Sequence, residues 1–260
     1  MNDKGIKFLR SRPSIILVPT TLALTIIILE LSILWSGTPD YLLPAPSSVF
    51  KEFASDLMSG RIPRHALVTL SETLLGFSIA FMVGSSLAVI VNRSKVLGEV
   101  IHPYITAFQA MPKIALAPII VLWFGFGMAS KVALVVLIAF FLIFVNTLSG
   151  LRSLGAPVLE LMRSYGATEW QIFRKAKLPN ALPFIFTGAE AALLFSLTAA
   201  VVGEFLGSKE GLGYLIQLWS MQMKTASSFA VILMLVIVAL VMHLTLITIR
   251  DKVLFWVAKT

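Results

Sequence analysis

Six stretches of this chain, residues 14–35, 66–91, 103–127, 131–150, 183–206 and 229–249, are each long and apolar enough to cross a bilayer. A hydrocarbon core about 30 Å thick needs roughly 20 residues at 1.5 Å each. Inside it every backbone polar group must find a partner within the protein, which a helix provides for itself. The expectation is therefore an all-α integral membrane protein with six transmembrane helices. The rest of the composition agrees: 58% of residues are hydrophobic and 13% charged, against roughly 25% charged in soluble domains. Cysteine is absent, which excludes a disulfide framework and thiolate metal sites. The formal charge of +8 would suggest nucleic acid in a soluble chain, but no basic stripe is interleaved with exposed aromatics. No nucleic-acid partner is expected, and the cations read instead as membrane-flanking loops.

The first stretch follows Lys4, Lys7, Arg10 and Arg12, as a signal peptide would. Its apolar run is long for that role and no A-x-A site follows, so it reads as an uncleaved first helix. With residues 1–13 inside, fourteen Lys and Arg fall on the cytoplasmic side and six on the outside, the bias that fixes orientation. Both termini are expected in the cytoplasm of a bacterial inner-membrane protein, residues 14–249 forming the permeating body and 250–260 the C-terminal tail. Segment 36–65 is the one long outer connection. An extended run at Leu43–Val49 leads there into a helix capped by Ser47 or Ser48, with Val49, Phe50, Phe53 and Leu57 as its apolar stripe.

The cytoplasmic connection 151–182 is too long for a plain link. A helical pattern from Val158 to Tyr165 stops at Gly166, as a left-handed cap glycine would stop it. Thr168-Glu169-Trp170-Gln171 is a capping box. The helix it opens carries Ile172, Phe173 and Ala176 on one side and Arg174, Lys175 and Lys177 on the other, and Leu178-Pro179 is expected to end it. A basic amphipathic helix of this kind either lies on anionic lipid or docks into a soluble partner.

Glu160-Leu161-Met162-Arg163-Ser164-Tyr165-Gly166-Ala167-Thr168, followed by Lys177-Leu178-Pro179, resembles the EAA signature of binding-protein-dependent ABC importer permeases. Leu161 and Met162 stand where the signature has its two alanines. Leu42-Leu43-Pro44-Ala45-Pro46, Pro112-Lys113-Ile114-Ala115-Leu116-Ala117-Pro118, Leu122-Trp123-Phe124-Gly125-Phe126-Gly127, Gly203-Glu204-Phe205-Leu206-Gly207 and Gly211-Leu212-Gly213-Tyr214-Leu215-Ile216 resemble the nitrate/sulfonate/taurine branch. The resemblance implies a permease homodimer, two separate ATP-binding subunits that carry ATP and Mg, and an extracytoplasmic substrate-binding protein. It makes Glu160, Met162, Tyr165, Gly166, Ala167, Thr168, Trp170, Phe173, Leu178 and Pro179 the ATPase-coupling residues. Consistently, no G-x-x-x-x-G-K-[ST] occurs, so no catalytic residue or cofactor is expected in this chain.

Ionisable residues inside spans are candidates for the substrate pathway. Lys113 sits near mid-membrane between Pro112 and Pro118; it faces an anionic substrate or pairs with Glu190. Glu204 is a solvated helix end, a gate or a receptor contact. Glu30 and Glu72 are read as partners of outer Lys or Arg. Trp123 and Phe124 form an aromatic belt or line the pathway, and Gly203-x-x-x-Gly207 permits a dimer contact. His102 and His243 show no zinc-binding spacing. The expected substrate is a small anion such as a sulfonate, nitrate or carboxylate; the alternatives are a vitamin or pyrimidine precursor on the same machine, or a secondary transporter.

Overall fold

A computed structural model describes residues 14–256, all of whose regular elements are helical. Lys4, Lys7, Arg10 and Arg12 lie outside the described residues. Among the described residues five helices are long and apolar enough to cross a membrane unbroken, and a helix pair bent by 83° forms either a broken sixth span or a re-entrant loop. The chain divides into two compact units, Met1–Ile62 with Ile216–Leu233, and Pro63–Leu215 with Met234–Thr260.

In the first unit α1 (Ser14–Ser36) exposes most of its apolar side chains, Ile33 being its one buried hydrophobe among the described residues. α2 (Pro46–Met58) begins at Pro46 behind Ala45, which has no side-chain cap to offer. Neither Ser47 nor Ser48 caps it. Glu30 of α1 does so instead, accepting from the Ser47 amide at 3.0 Å and the Ser47 hydroxyl at 2.6 Å. A carboxylate at the positive end of a helix satisfies an amide that the sequence left open, so Glu30 has a helix terminus rather than a cation as its partner. Near the far end of α2, Asp56 is buried and meets Arg61 at 3.2 Å. Burial pushes its carboxyl above the ordinary range, Arg61 opposing and Glu52 adding to the shift.

In the second unit α3 (Arg61–Asn92), α6 (Met128–Arg152) and α9 (Leu178–Phe205) make the core, which contains Leu134, Val135, Ile138, Ala139, Ile143, Ala192, Ala199 and Ala200. Small residues let these helices approach closely, as membrane packing requires. A Cβ on Gly76 would stand 2.5 Å from the Val135 side chain, and one on Gly188 would stand 2.6 Å from Asn146 Cβ. Gly203 packs on Lys131 in the same way, 3.0 Å from its Cγ. The first glycine of Gly203-x-x-x-Gly207 is thus used within the chain, and Gly207 (φ +129°) faces the Phe126 ring.

The third span is where sequence and structure differ most. α4 (Lys95–Ala110) starts eight residues before the expected boundary, with Ser94 accepting from the Leu97 amide. Pro103 lies inside it. The chain breaks at Met111-Pro112, passes through a tight turn at Lys113–Leu116 and continues as α5 (Ala117–Phe124). Proline removes an amide and restrains the residue before it, so Pro112 fixes the break. α10 (Leu212–Met221) was not anticipated; its buried Leu212, Leu215 and Trp219 are a helical stripe between the last two spans. α11 (Thr225–Val253) is the last span.

Candidate functional site

The loop after α6 forms the expected helix–glycine–helix. α7 (Ala156–Ser164) ends on Gly166 at φ +72°, where the Ala167 amide donates to the Met162 carbonyl at 3.0 Å. The capping box is complete: the Gln171 amide donates to Thr168 Oγ1 at 3.3 Å, and the Thr168 amide donates to Gln171 Oε1 at 2.8 Å. Arg163 and Glu169 bridge the glycine corner at 2.9 Å. Glu160 sits mid-helix in α7 and its side chain is exposed.

α8 (Glu169–Ile172) does not stop at Leu178-Pro179. It runs through a wider π-turn at Phe173–Lys177 straight into α9, giving 37 helical residues from Glu169 to Phe205. That turn opens the ladder just ahead of Pro179, which has no amide for the carbonyl four residues earlier. The expected apolar face divides. Ile172 is buried, and Phe173 and Leu178 pack on the Leu151–Ala181–Ile185 cluster. Leu161, Tyr165 and Trp170 are 57%, 84% and 58% exposed. Trp170 stacks on Phe173, their centroids 5.6 Å apart. Met162 and Ala167 are half-buried between these groups. Three large apolar side chains exposed together on one polar-flanked loop make a candidate interaction surface.

Lys113 and Glu190 are not partners. Glu190 binds Arg250 at 2.7 Å. Lys113 Nζ lies 5.6 Å over the Phe141 ring, a cation–π contact. It lines a cavity of about 360 Å³ with Gln109, Phe141, Asn146, Phe195 and Thr198. The broken backbone at Pro112 also lines this cavity, the circumstance in which irregular backbone is tolerated at membrane depth. Asn146 uses its amide nitrogen on the Leu142 carbonyl at 2.8 Å, which leaves its oxygen as an acceptor. Trp123 and Phe124 lie apart, on a cleft with Leu116, Ile119 and Leu137.

Glu204 is fully buried rather than a solvated end. It accepts from Thr69 Oγ1 at 2.7 Å and from the Gly213 amide. Thr69 Oγ1 in turn accepts from the Leu212 amide at 2.8 Å, and His65 Nδ1 accepts from the Gly211 amide at 2.9 Å. Three side chains from α3 and α9 therefore hold three successive amides at the start of α10. Lys131, which reads in sequence as an outer-loop cation, is buried against Glu72, so the outer-cation partner read for Glu72 does exist. Its Nζ also donates to Ser208 at 3.0 Å. No cluster able to hold a metal occurs among the described residues. Sequence reasoning missed Asn146, Thr69 and His65. Asn146, a lone amide within an apolar span, was the signal available for the cavity; Phe195 offered none.

The family described as "binding-protein-dependent transport system inner membrane component" matches residues 80–252. The chain belongs to that family of ABC importer permeases. The chain is 34% identical over 226 residues to the riboflavin transport system permease RibX of Chloroflexus aurantiacus, covering 87% of this chain and 84% of RibX. It is 36% identical over 220 residues to the formylaminopyrimidine transport permease ThiX of Halalkalibacterium halodurans, covering 84% and 87%. The taurine transport system permease TauC of Escherichia coli is 26% identical over 219 residues, covering 82% and 80%. In fold, the chain matches a structure of the inward-facing MetNI methionine ABC transporter with a TM-score of 0.66 at 21% identity, covering 76% of this chain and 98% of that one. This ABC importer permease is thus a multi-pass inner-membrane transport subunit.

Proposed function

We propose that two copies of this permease form the translocation pathway of an importer fed by an extracytoplasmic binding protein. Two separate ATPase subunits dock on the loop around Gly166 and supply the energy. The supporting observation is the exposed Leu161, Tyr165 and Trp170 face on a loop whose second helix is continuous with a span. Residues 151–182 and both termini lie on the cytoplasmic side in this reading, as the positive-inside bias requires. Purified with its ATPases, the complex should have the native mass of two permeases and two ATPases. A mass equal to one permease with one ATPase refutes the stoichiometry.

The Lys113 cavity is the pathway element. A small sulfonate or carboxylate fits its single cation. The two phenyl rings, the amides and the size of the cavity favour a flat, hydrogen-bonding ring instead, in the way cofactor pockets combine apolar walls with a few polar groups. RibX and ThiX, named for riboflavin and formylaminopyrimidine, support the second substrate class. Because Lys113 has no carboxylate partner among the described residues, Lys113→Met should leave folded yield and ATPase binding unchanged while uptake of the transported compound falls at least about tenfold, the loss of one charge-assisted contact. Uptake at the wild-type rate removes Lys113 from the pathway.

A further inference from the structure

Two cations without ion pairs in the second unit share one cavity behind the coupling loop. About 610 Å³ in volume, it lies between the end of α3, the first turns of α4, the end of α6 and the loop itself. Arg152 and Lys177 line it together with Asn92, Ser94 and Glu99. Four other cations of this unit meet carboxylates: Lys131 meets Glu72, Arg250 meets Glu190, Arg163 meets Glu169 and Arg64 meets Glu210. No ion pair of Arg152 or Lys177 occurs among the described residues. Two like charges on one cavity wall repel each other, a cost that an anion between them relieves.

The guanidinium lies close against the backbone of α4. A Cβ on Gly98 would fall on Arg152 Nη2, so it is the lack of a side chain at residue 98 that lets the guanidinium lie across the first turns of α4. That end of a 16-residue helix adds its own partial positive charge. Ser94 and Asn92 bring a hydroxyl and an amide, while Leu151, Leu154 and Leu159 give the same cavity an apolar wall. Planar guanidinium, ammonium and helix terminus together are the donor set of a phosphate group. The apolar wall beside them suits a phosphate that carries acyl chains. Basic pockets between helices at the cytoplasmic interface are where anionic headgroups bind.

We infer that the cavity between Arg152, Lys177 and the start of α4 binds the phosphate of an anionic phospholipid, tying the α3–α4 corner to the coupling loop. The inference rests on the orientation given above, in which this cavity faces the inner leaflet. The test reads lipid rather than transport, so it fails separately from the importer reading.

Detergent-purified complex is titrated with phosphatidylglycerol and with phosphatidylcholine, and bound lipid is counted by native mass spectrometry. Wild type should retain phosphatidylglycerol preferentially. Arg152→Gln and Lys177→Gln should each weaken that retention about fivefold or more, on the scale of one interfacial cation. Gly98→Ala, which displaces the guanidinium without altering charge, should weaken it comparably. If Arg152→Gln does not fold, Gly98→Ala and Lys177→Gln carry the test. Inorganic phosphate is the second arm: competition by millimolar phosphate, sensitive to the same substitutions, assigns the site to a free anion and overturns the lipid. Equal retention of both lipids by wild type, or full retention by the variants, also overturns it. So does equal loss in Glu99→Gln, because the loss would then come from disturbing the cavity and not from removing a cation. Retention in Glu99→Gln at or above the wild-type level supports the site.

Discussion

Lys131→Met should remove most of the folded permease from the membrane. The Lys131 side chain is 9% exposed and that of Glu72 is 2% exposed. Glu72 has Lys131 as its ion-pair partner, and the carboxyl of Glu204 also lies against it. Breaking such a pair leaves an uncompensated charge in a low-dielectric core, at about 3–5 kcal/mol. That is a large part of a typical stability of about 5–15 kcal/mol. The double change Lys131→Met with Glu72→Gln removes both charges and should restore most of the yield, because replacing a whole buried pair costs little. Monodisperse yield and melting temperature of the purified permease check this. A double variant as poor as the single one would mean that Lys131 matters through Ser208 or through its packing on Gly203, and not through the charge on Glu72. Glu190→Gln, by contrast, affects a pair with Arg250 that is only partly buried and should cost far less.

The second large effect is functional. Gly166→Val places a β-branched residue at φ +72°, where a Cβ costs about 1–2 kcal/mol per residue and the corner between α7 and α8 cannot keep its geometry. Glu160→Lys reverses an exposed charge within α7, beside the Leu161 and Tyr165 face, without touching the core. Both variants should insert and dimerise normally, and both should bind receptor on the opposite face. Substrate-stimulated ATP hydrolysis in proteoliposomes should fall by at least about tenfold, equivalent to about 1.4 kcal/mol of coupling. Full stimulated hydrolysis in both would reduce the loop to a segment lying on lipid.

The spans were legible because apolar runs of twenty residues have few alternatives in a chain this hydrophobic, and Gly166 and Thr168 were legible because each carries its own local geometry. What sequence could not supply was partnership. Lys113 and Glu190 are plausible partners by depth alone, but Arg250 from the last span reaches Glu190 first. Depth along a helix says nothing of which neighbour it faces. Lys131 looked like a loop cation because it opens a span, and only the packing of α9 on α6 through Gly203 shows that it is covered. Glu204 looked solvated for the same reason: the helix that buries it, α10, is short and its three-residue stripe of Leu212, Leu215 and Trp219 is weak evidence beside six long spans. Pro179 marked an end by the ordinary rule for proline, and the π-turn ahead of it overrode the rule.

That π-turn has a mechanical consequence. Thirty-seven helical residues in one run span about 55 Å at 1.5 Å each, so no loop separates Trp170, on the face proposed to meet the ATPase, from the end that carries Glu204. A tilt imposed at Trp170 must reappear at the opposite membrane face, where the Glu204 carboxylate grips the first turn of α10 through the Gly213 amide. The single extra residue in the wide turn also rotates everything beyond it by about 100°. One continuous helix thereby leaves Trp170 exposed while it turns Ala181, Ala192 and Ala199 into the bundle.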